Sequence, residues 1–213
     1  MWGLSKSQIN RDFSDRTIDR QKQIRTFEIA EKLGIRKYGI SFLGTHLTPE
    51  NIEKMVTYVN SFLTAPFGFC YPLVTDETTY RLGKSVPMHS AETLRKMVER
   101  ILTLKKSGYQ IANTLAYMEE VLRFHNNQAS RFPCKAGEYV FYIDWFGNIH
   151  PCFLKSKLSN LLEYDEHHLL KNAMCVECLG DCFREPSLLA YISSLPLITK
   201  EIVYNLSVKT NIL

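Results

Sequence analysis

Five of the six cysteines in this sequence fall in one stretch, from residue 134 to residue 182. The first two, Cys134 and Cys152, bound the segment CKAGEYVFYIDWFGNIHPC. The other three follow within the segment CVECLGDC, as Cys175, Cys178 and Cys182. Cysteines grouped in this way, in a chain of otherwise ordinary composition, are typical of metal or cluster ligands. The stretch therefore predicts a thiolate-ligated centre.

Spacing alone leaves the nature of this centre open. Cys175 and Cys178 are spaced as C-x2-C, so both thiolates can reach one ion from a tight turn, and Cys182 adds a third sulfur. Thiolates are suitable ligands for iron–sulfur clusters and for Zn²⁺ alike. Structural zinc and a four-iron cluster each take about four protein ligands, so either would leave one cysteine over. Disulfides or free buried thiols are the third alternative.

The composition indicates an ordinary globular protein in a reducing compartment. The chain has 213 residues, which is enough for one large domain or two small ones. Its formal charge of +4 is modest and its Lys and Arg residues are scattered, so the charge does not predict nucleic-acid binding. The sequence has neither an apolar run of membrane-spanning length nor a secretory signal. We therefore expect a cytoplasmic protein without a membrane partner, a setting that favours ligands over disulfides.

The region upstream of the cysteines alternates between strand and helix patterns. Short apolar runs predict strands over residues 38–44, 66–74 and 109–113. Helical periodicity, capping residues and terminating glycines predict helices over residues 17–34, 48–63, 90–108 and 114–124. Such alternation predicts an α/β fold with parallel strands and helical crossovers.

The segment between the first two cysteines predicts a β-hairpin. Residues 139–153 alternate aromatic and β-branched side chains around the turn DWFGN. Asp144 lies where such a turn needs side-chain capping, so we interpret it as a turn residue and not as a general base. Because Cys134 and Cys152 lie at the outer ends of the paired segment, the hairpin should bring them together.

The sixth cysteine is separate from this stretch. Cys70 lies in the apolar run FGFCYPLV, far from the other cysteines in sequence. A thiol in such a run is typical of a small side chain packed in a core. We therefore predict that Cys70 belongs to the core and binds no ligand.

The hairpin cysteines resemble the auxiliary-cluster domains of radical SAM enzymes. Cys134, Gly147 and Cys152 fit the pattern C-x(9–15)-G-x4-C, which opens the SPASM and twitch domains of that family. The later cysteines, Cys175 to Cys182, resemble a shortened form of the family's second cysteine group. The small number of cysteines is similar to the twitch version, which holds one [4Fe–4S] cluster, rather than to the longer SPASM version.

This resemblance implies a division of the chain into parts with different roles. The implied parts are a polar lead-in at 1–16, the C-terminal part of a partial (β/α) barrel at 17–126, a small α+β twitch-like domain at 131–185, and C-terminal helices at 186–213. The resemblance also implies that Cys134, Cys152 and two of the three later cysteines bind an auxiliary [4Fe–4S] cluster. Such a cluster would relay electrons or position a substrate.

One part of the family's pattern is missing from these residues. The C-x3-C-x2-C loop, which binds the cluster that cleaves S-adenosylmethionine, does not occur in this sequence. We therefore expect S-adenosylmethionine chemistry only when a catalytic N-terminal half is supplied. The expected partner is that half, encoded as a separate chain, or an electron donor. Two alternatives stay open: a zinc-stabilised binding module without a redox role, and an inactive truncated paralogue.

Overall fold

The described residues form helices and strands in a mixed α/β order, which agrees with the coarse fold class that the sequence predicts. The computed structural model describes residues 25–26, 28–30, 32–34, 39–45, 47–61, 66–72, 89–165, 167, 170, 173–188 and 190–191. The predicted lead-in at 1–16 and most of the predicted C-terminal helices lie outside the described residues.

Two parallel strands begin the described sheet structure. Strand β1 is Gly39–Phe42 and strand β2 is Phe67–Cys70, and they pair in parallel along their whole length. Ile111 continues this order through a single parallel bridge to Phe67. The third predicted strand is thus reduced to one bridged position. Parallel neighbours require long crossover connections, and helices fill them here.

Three long helices follow the strand positions, namely α1 over Pro49–Asn60, α2 over Ala91–Lys106 and α3 over Leu115–His125. Each begins where the sequence predicts, because a Ser or Thr side chain caps its first turn. The caps are Thr48, Ser90 and Thr114, and each accepts a hydrogen bond from a backbone N–H three residues later. Within the described part of the chain, no helix combines the length and the apolar composition that crossing a membrane requires.

The apolar faces of these helices pack on the strands and form the main core. Ile52, Val56 and Met97 are its least exposed members, with no accessible side-chain surface. Leu179 and Leu188, which come from the cysteine-rich half, belong to the same core. Burial of each such aliphatic side chain stabilises the fold by about 1.5–3 kcal/mol. The cysteine-rich half is therefore joined to the α/β half by a shared core.

The cysteine-rich half contains a small antiparallel sheet. Its strands are β3 over Tyr142–Ile143, β4 over Asn148–His150 and β5 over Ser159–Asn160, in the order β3-β4-β5, and a 3-10 helix follows over Leu161–Glu163. The β3–β4 hairpin is shorter than the predicted segment 139–153, because residues 136–140 form a separate loop closed by a bridge. At the hairpin turn, the Asp144 carboxylate accepts hydrogen bonds from the Phe146 and Asn148 N–H groups, at 2.8 and 2.9 Å.

The last described helix, α4, extends over Asp181–Ser187. The sequence places C-terminal helices at 186–213, whereas this helix begins sooner, directly after Gly180. Cys182 therefore lies on a helix and not in the turn that carries Cys178. Its side-chain direction is set by the helix, and this separates it from the other cysteines of the stretch.

Candidate metal centre

Four of the predicted ligands line one cavity, which we call the thiol cavity: Cys134, Cys152, Cys175 and Cys178. The cavity has a volume of about 220 Å³. All four side chains are free thiols. The structure thus brings together residues that are separated by up to 44 positions in the sequence.

A main-chain bridge holds Cys134 against Cys175. The Cys134 N–H donates to the Cys175 carbonyl at 2.7 Å, and the Cys175 N–H donates to the Cys134 carbonyl at 3.3 Å. This antiparallel bridge joins the start of the hairpin segment to the C-x2-C turn. The backbone therefore fixes the relative position of these two thiols without any bound group.

The loop after the first cysteine organises the segment that leads to Cys175. The Gly137 carbonyl accepts a hydrogen bond from the Leu170 N–H at 2.8 Å. The Glu138 carboxylate accepts one from the Ala173 N–H at 2.9 Å. These bonds align the approaching segment with the loop, and so they determine where the second cysteine group enters the cavity.

Gly137 should not tolerate a side chain. Its φ is +90°, and a Cβ there would lie 2.7 Å from Leu170 Cδ1 and 3.0 Å from Pro151 Cβ. We expect Gly137→Ala to lower the free energy of unfolding by about 2–4 kcal/mol, from backbone strain and this overlap together, as measured by urea unfolding. Gly108→Ala is the matched control, because Gly108 has φ +96° and no atom within 4 Å of the added Cβ. It should lose only about 1–2 kcal/mol, and equal losses would contradict the close packing at Gly137.

A backbone N–H group points at the sulfur of Cys152. The Leu154 N–H donates to Cys152 Sγ at 3.4 Å, and the Lys155 N–H donates to the Cys152 carbonyl at 3.4 Å. Hydrogen bonds to the sulfur stabilise the thiolate, and they are one of the means by which a protein adjusts the potential of an iron–sulfur cluster.

Two thiols of the cavity, those of Cys152 and Cys178, are harder to deprotonate than ordinary thiols when no cation is bound. Burial raises the pKa of Cys152 and of Cys178, and the charges of Cys134 and Cys175 raise both further. Each added thiolate therefore makes the next one harder to form. Only a metal or cluster can stabilise all these thiolates at once, and its binding would release their protons.

Apolar side chains form most of the remaining lining. Phe153 from the hairpin and Phe183 from α4 pack edge to face, with ring centroids 4.7 Å apart. Lys155 and Glu177 are the charged residues in the lining, and they pair with each other at 2.6 Å. An apolar shell of this kind limits the access of water and lowers the local dielectric constant, which are properties that tune a metal centre.

The four thiols of the cavity do not form a group whose sulfurs all lie within 4.8 Å of one another. Zinc binds each sulfur at about 2.3 Å, so a tetrahedral site places its sulfurs about 3.8 Å apart. Among the described residues, one group of metal-binding side chains has all its ligand atoms within 4.8 Å of one another. This group lies outside the thiol cavity. A four-iron cluster holds its thiolates further apart, because each binds a different iron.

Cys182 does not line the thiol cavity. Its Sγ lies 3.9 Å from Asp181 Oδ2, and the same oxygen accepts a hydrogen bond from Cys70 Sγ at 3.1 Å. We call Cys70, Asp181 and Cys182 the Asp181 site. The prediction that Cys70 is only a packed core thiol is therefore incomplete, because Cys70 is buried but also contacts this carboxylate.

No direct signal in the sequence indicated the Asp181 site, because Cys70 and Asp181 are 111 residues apart. Cys70 lies within the predicted strand 66–74, and the structure shows that the strand ends at this residue, where α/β proteins commonly bind ligands. In the structure, the neighbouring Cys70 side chain lowers the pKa of Cys182. Burial raises the pKa of Asp181.

A second buried acid lies close to the Asp181 site. The Glu185 carboxylate accepts hydrogen bonds from the Thr114 N–H and, at 3.1 Å, from Asn113 Nδ2. Burial, with a smaller contribution from the charge of Asp181, raises the pKa of Glu185 from 4.5 to about 7. The protonated form of Glu185 is therefore favoured in the folded protein relative to the unfolded chain.

This raised pKa predicts a stability that falls as pH rises. The folded state binds more protons than the unfolded state between the two pKa values, so the contribution of Glu185 is complete below pH 4.5 and is lost by about pH 7. We expect a loss of up to about 3 kcal/mol for the metal-free protein over this range. Glu185→Gln should remove this part of the pH dependence in urea unfolding. An unchanged pH profile in that variant would contradict the assignment.

A buried ion pair connects α3 to α4 beside the thiol cavity. Arg184 Nη2 lies 3.6 Å from Glu120 Oε2, and both side chains are almost fully buried, at 3% and 1% exposed. Arg184 Nη1 also donates to the Cys178 carbonyl at 2.9 Å. Glu120 accepts further hydrogen bonds from Arg131 and Ser130, and these outweigh the effect of burial, so its pKa is lowered.

The arrangement as a whole is a set of thiols that line an apolar cavity, held by backbone pairing and by a buried ion pair. Cys182 belongs to a separate group with Cys70 and Asp181. No protein-family model, curated protein or solved structure matches the chain.

Proposed function

We propose that this protein binds one [4Fe–4S] cluster in the thiol cavity, through Cys134, Cys152, Cys175 and Cys178. The observation that carries this proposal is the convergence of these thiols on one apolar cavity of about 220 Å³. The separation of the sulfurs, wider than a single zinc ion needs, supports a cluster over zinc.

We further propose that the cluster is an auxiliary centre of a radical SAM-type protein in a reducing compartment. The parallel order of β1, β2 and Ile111, with helices between them, supports descent of this half from a (β/α) barrel. The hairpin motif of Cys134, Gly147 and Cys152 supports a twitch-like domain. S-adenosylmethionine cleavage would need a catalytic half with its own cysteine loop, supplied by another polypeptide.

Electron relay fits this site better than substrate ligation. The chain offers one thiol for each iron of a four-iron cluster, so no iron is left with an open position for a substrate. The apolar lining also keeps water from the metal. The exposed pair of Lys155 and Glu177 lies at the cavity and offers a polar surface that an electron donor could contact.

Anaerobic reconstitution with iron and sulfide tests the proposal. We expect about four iron and four sulfide per chain, with the broad visible absorption of a thiolate-ligated cluster. Reduction should give an electron paramagnetic resonance signal from a single cluster. A colourless protein that retains stoichiometric zinc and takes up no iron would exclude the cluster and favour a zinc-stabilised module.

A further inference from the structure

The Asp181 site has a geometry that suits one metal ion. The ligand atoms of Cys70, Asp181 and Cys182 all lie within 4.8 Å of one another. Asp181 Oδ2 is 3.1 Å from one sulfur and 3.9 Å from the other. In a tetrahedral zinc site, bond lengths of about 2.0–2.3 Å place an oxygen and a sulfur ligand about 3.5 Å apart. The two observed distances lie on either side of this value.

Two acidic side chains lie together at this site. Asp181 and Glu185 are four positions apart on α4, so they lie on the same face of the helix. The nearest arginine along the chain, Arg184, is paired with Glu120 instead. Acidic groups without a cationic partner are costly to bury, and a bound divalent ion removes that cost.

The place of the site in the fold also suits ligand binding. Cys70 is the last residue of β2, at the carboxyl end of a parallel strand. Ligands of open α/β sheets bind outside this end of the strands. Cys70 is 6% exposed, whereas Cys182 is exposed to solvent, so an ion can reach the site from the surface.

From these observations we propose that Cys70, Asp181 and Cys182 form a second metal site, separate from the thiol cavity, which binds one Zn²⁺ ion. Two thiolates select a thiophilic ion, and the carboxylate favours Zn²⁺ over Cu(I). Binding releases the thiol protons of Cys70 and Cys182 to solvent. Three protein ligands leave one tetrahedral position for water or for an exogenous ligand. The ion joins β2 to α4, and so it links the α/β half to the cysteine-rich half.

Zinc stoichiometry in matched variants tests this site. Wild-type protein and Asp181→Asn are reconstituted with iron and sulfide, equilibrated with Zn²⁺, freed of loosely held metal, and analysed for metals. We expect the wild type to hold one zinc ion more than the variant. The readout is this difference in zinc content between the two proteins. It is the same if the thiol cavity holds iron or if it holds zinc, so the test does not depend on the nature of the first centre.

Measurements of Zn²⁺ affinity and a control variant make the test specific to the Asp181 site. Loss of even an outer partner of a metal ligand weakens binding by about 10–100-fold, so Asp181→Asn and Cys182→Ser should weaken Zn²⁺ binding by more than about 100-fold in chelator competition. Glu163→Gln is the control, because it removes an exposed carboxylate that lies in the same half of the chain but in neither site, and it should keep the ion. Equal zinc content and affinity in wild type and Asp181→Asn, with both folded by circular dichroism, would overturn the proposal.

Discussion

Cys178→Ala should abolish cluster binding, whereas Cys182→Ala should leave it intact. Cys178 lines the thiol cavity, and Cys182 lies on α4 beside Asp181. After anaerobic reconstitution, the iron content of the first variant should fall far below the roughly four atoms per chain of the wild type, because one iron of the cubane loses its thiolate ligand. The second variant should keep the wild-type iron and sulfide content.

The two variants are well matched, because both cysteines lie in the segment CVECLGDC and each loses the same atoms. Circular dichroism before reconstitution separates loss of a ligand from loss of the fold. Retention of iron in Cys178→Ala together with its loss in Cys182→Ala would mean that the ligand set includes Cys182. Helix α4 would then have to unwind at its first turn to deliver that thiol.

Glu120→Ala should destabilise the protein by about 3–5 kcal/mol. The substitution leaves Arg184 buried without its carboxylate partner, and it also removes the acceptor for Arg131 and Ser130. An uncompensated charge in the protein interior is the source of the large effect. Urea unfolding of the metal-free protein measures it, and the midpoint of thermal unfolding should fall by about 10 °C.

Glu119→Ala provides the control for this prediction. Glu119 is adjacent in sequence and also pairs with Arg131, at 3.1 Å, but its side chain is 38% exposed. Exposed pairs contribute about 0–1 kcal/mol, so this variant should be close to wild type in stability. A loss in Glu120→Ala no larger than that in Glu119→Ala would show that the buried pair adds little to the fold.

The helices could be predicted from the sequence because their signals are local. Thr48, Ser90 and Thr114 mark three helix starts through hydrogen bonds within one turn, and the structure confirms each of them. Strands are harder to predict from the sequence, because the strands that they pair with lie far away along the chain. The segment 109–113 has a strand pattern but pairs only at Ile111, because the chain enters α3 shortly afterwards.

The grouping of cysteines was visible in the sequence, but the division between the two sites was not. Cys134 and Cys152 lie on either side of a local hairpin, and Cys175 and Cys178 are three residues apart. Whether Cys182 joins them depends on where α4 begins, and the helix starts only one residue before it. Helix boundaries cannot be placed so closely from sequence patterns.

The Asp181 site depends on tertiary structure alone. Cys70 ends a strand of the α/β half, and Asp181 begins a helix of the other half. Their contact requires the shared core that includes Leu179 and Leu188. No spacing rule connects residues across such a distance, so a single sequence cannot reveal the pair.

The backbone bridge between Cys134 and Cys175 has a consequence for the stability of the cysteine-rich half. Closing a loop of this length costs about 3 kcal/mol of chain entropy. The two hydrogen bonds of the bridge offset only part of this cost, since each contributes about 0.5–1.5 kcal/mol. Packing of the loop, including the core that it shares with the α/β half, must therefore offset the rest.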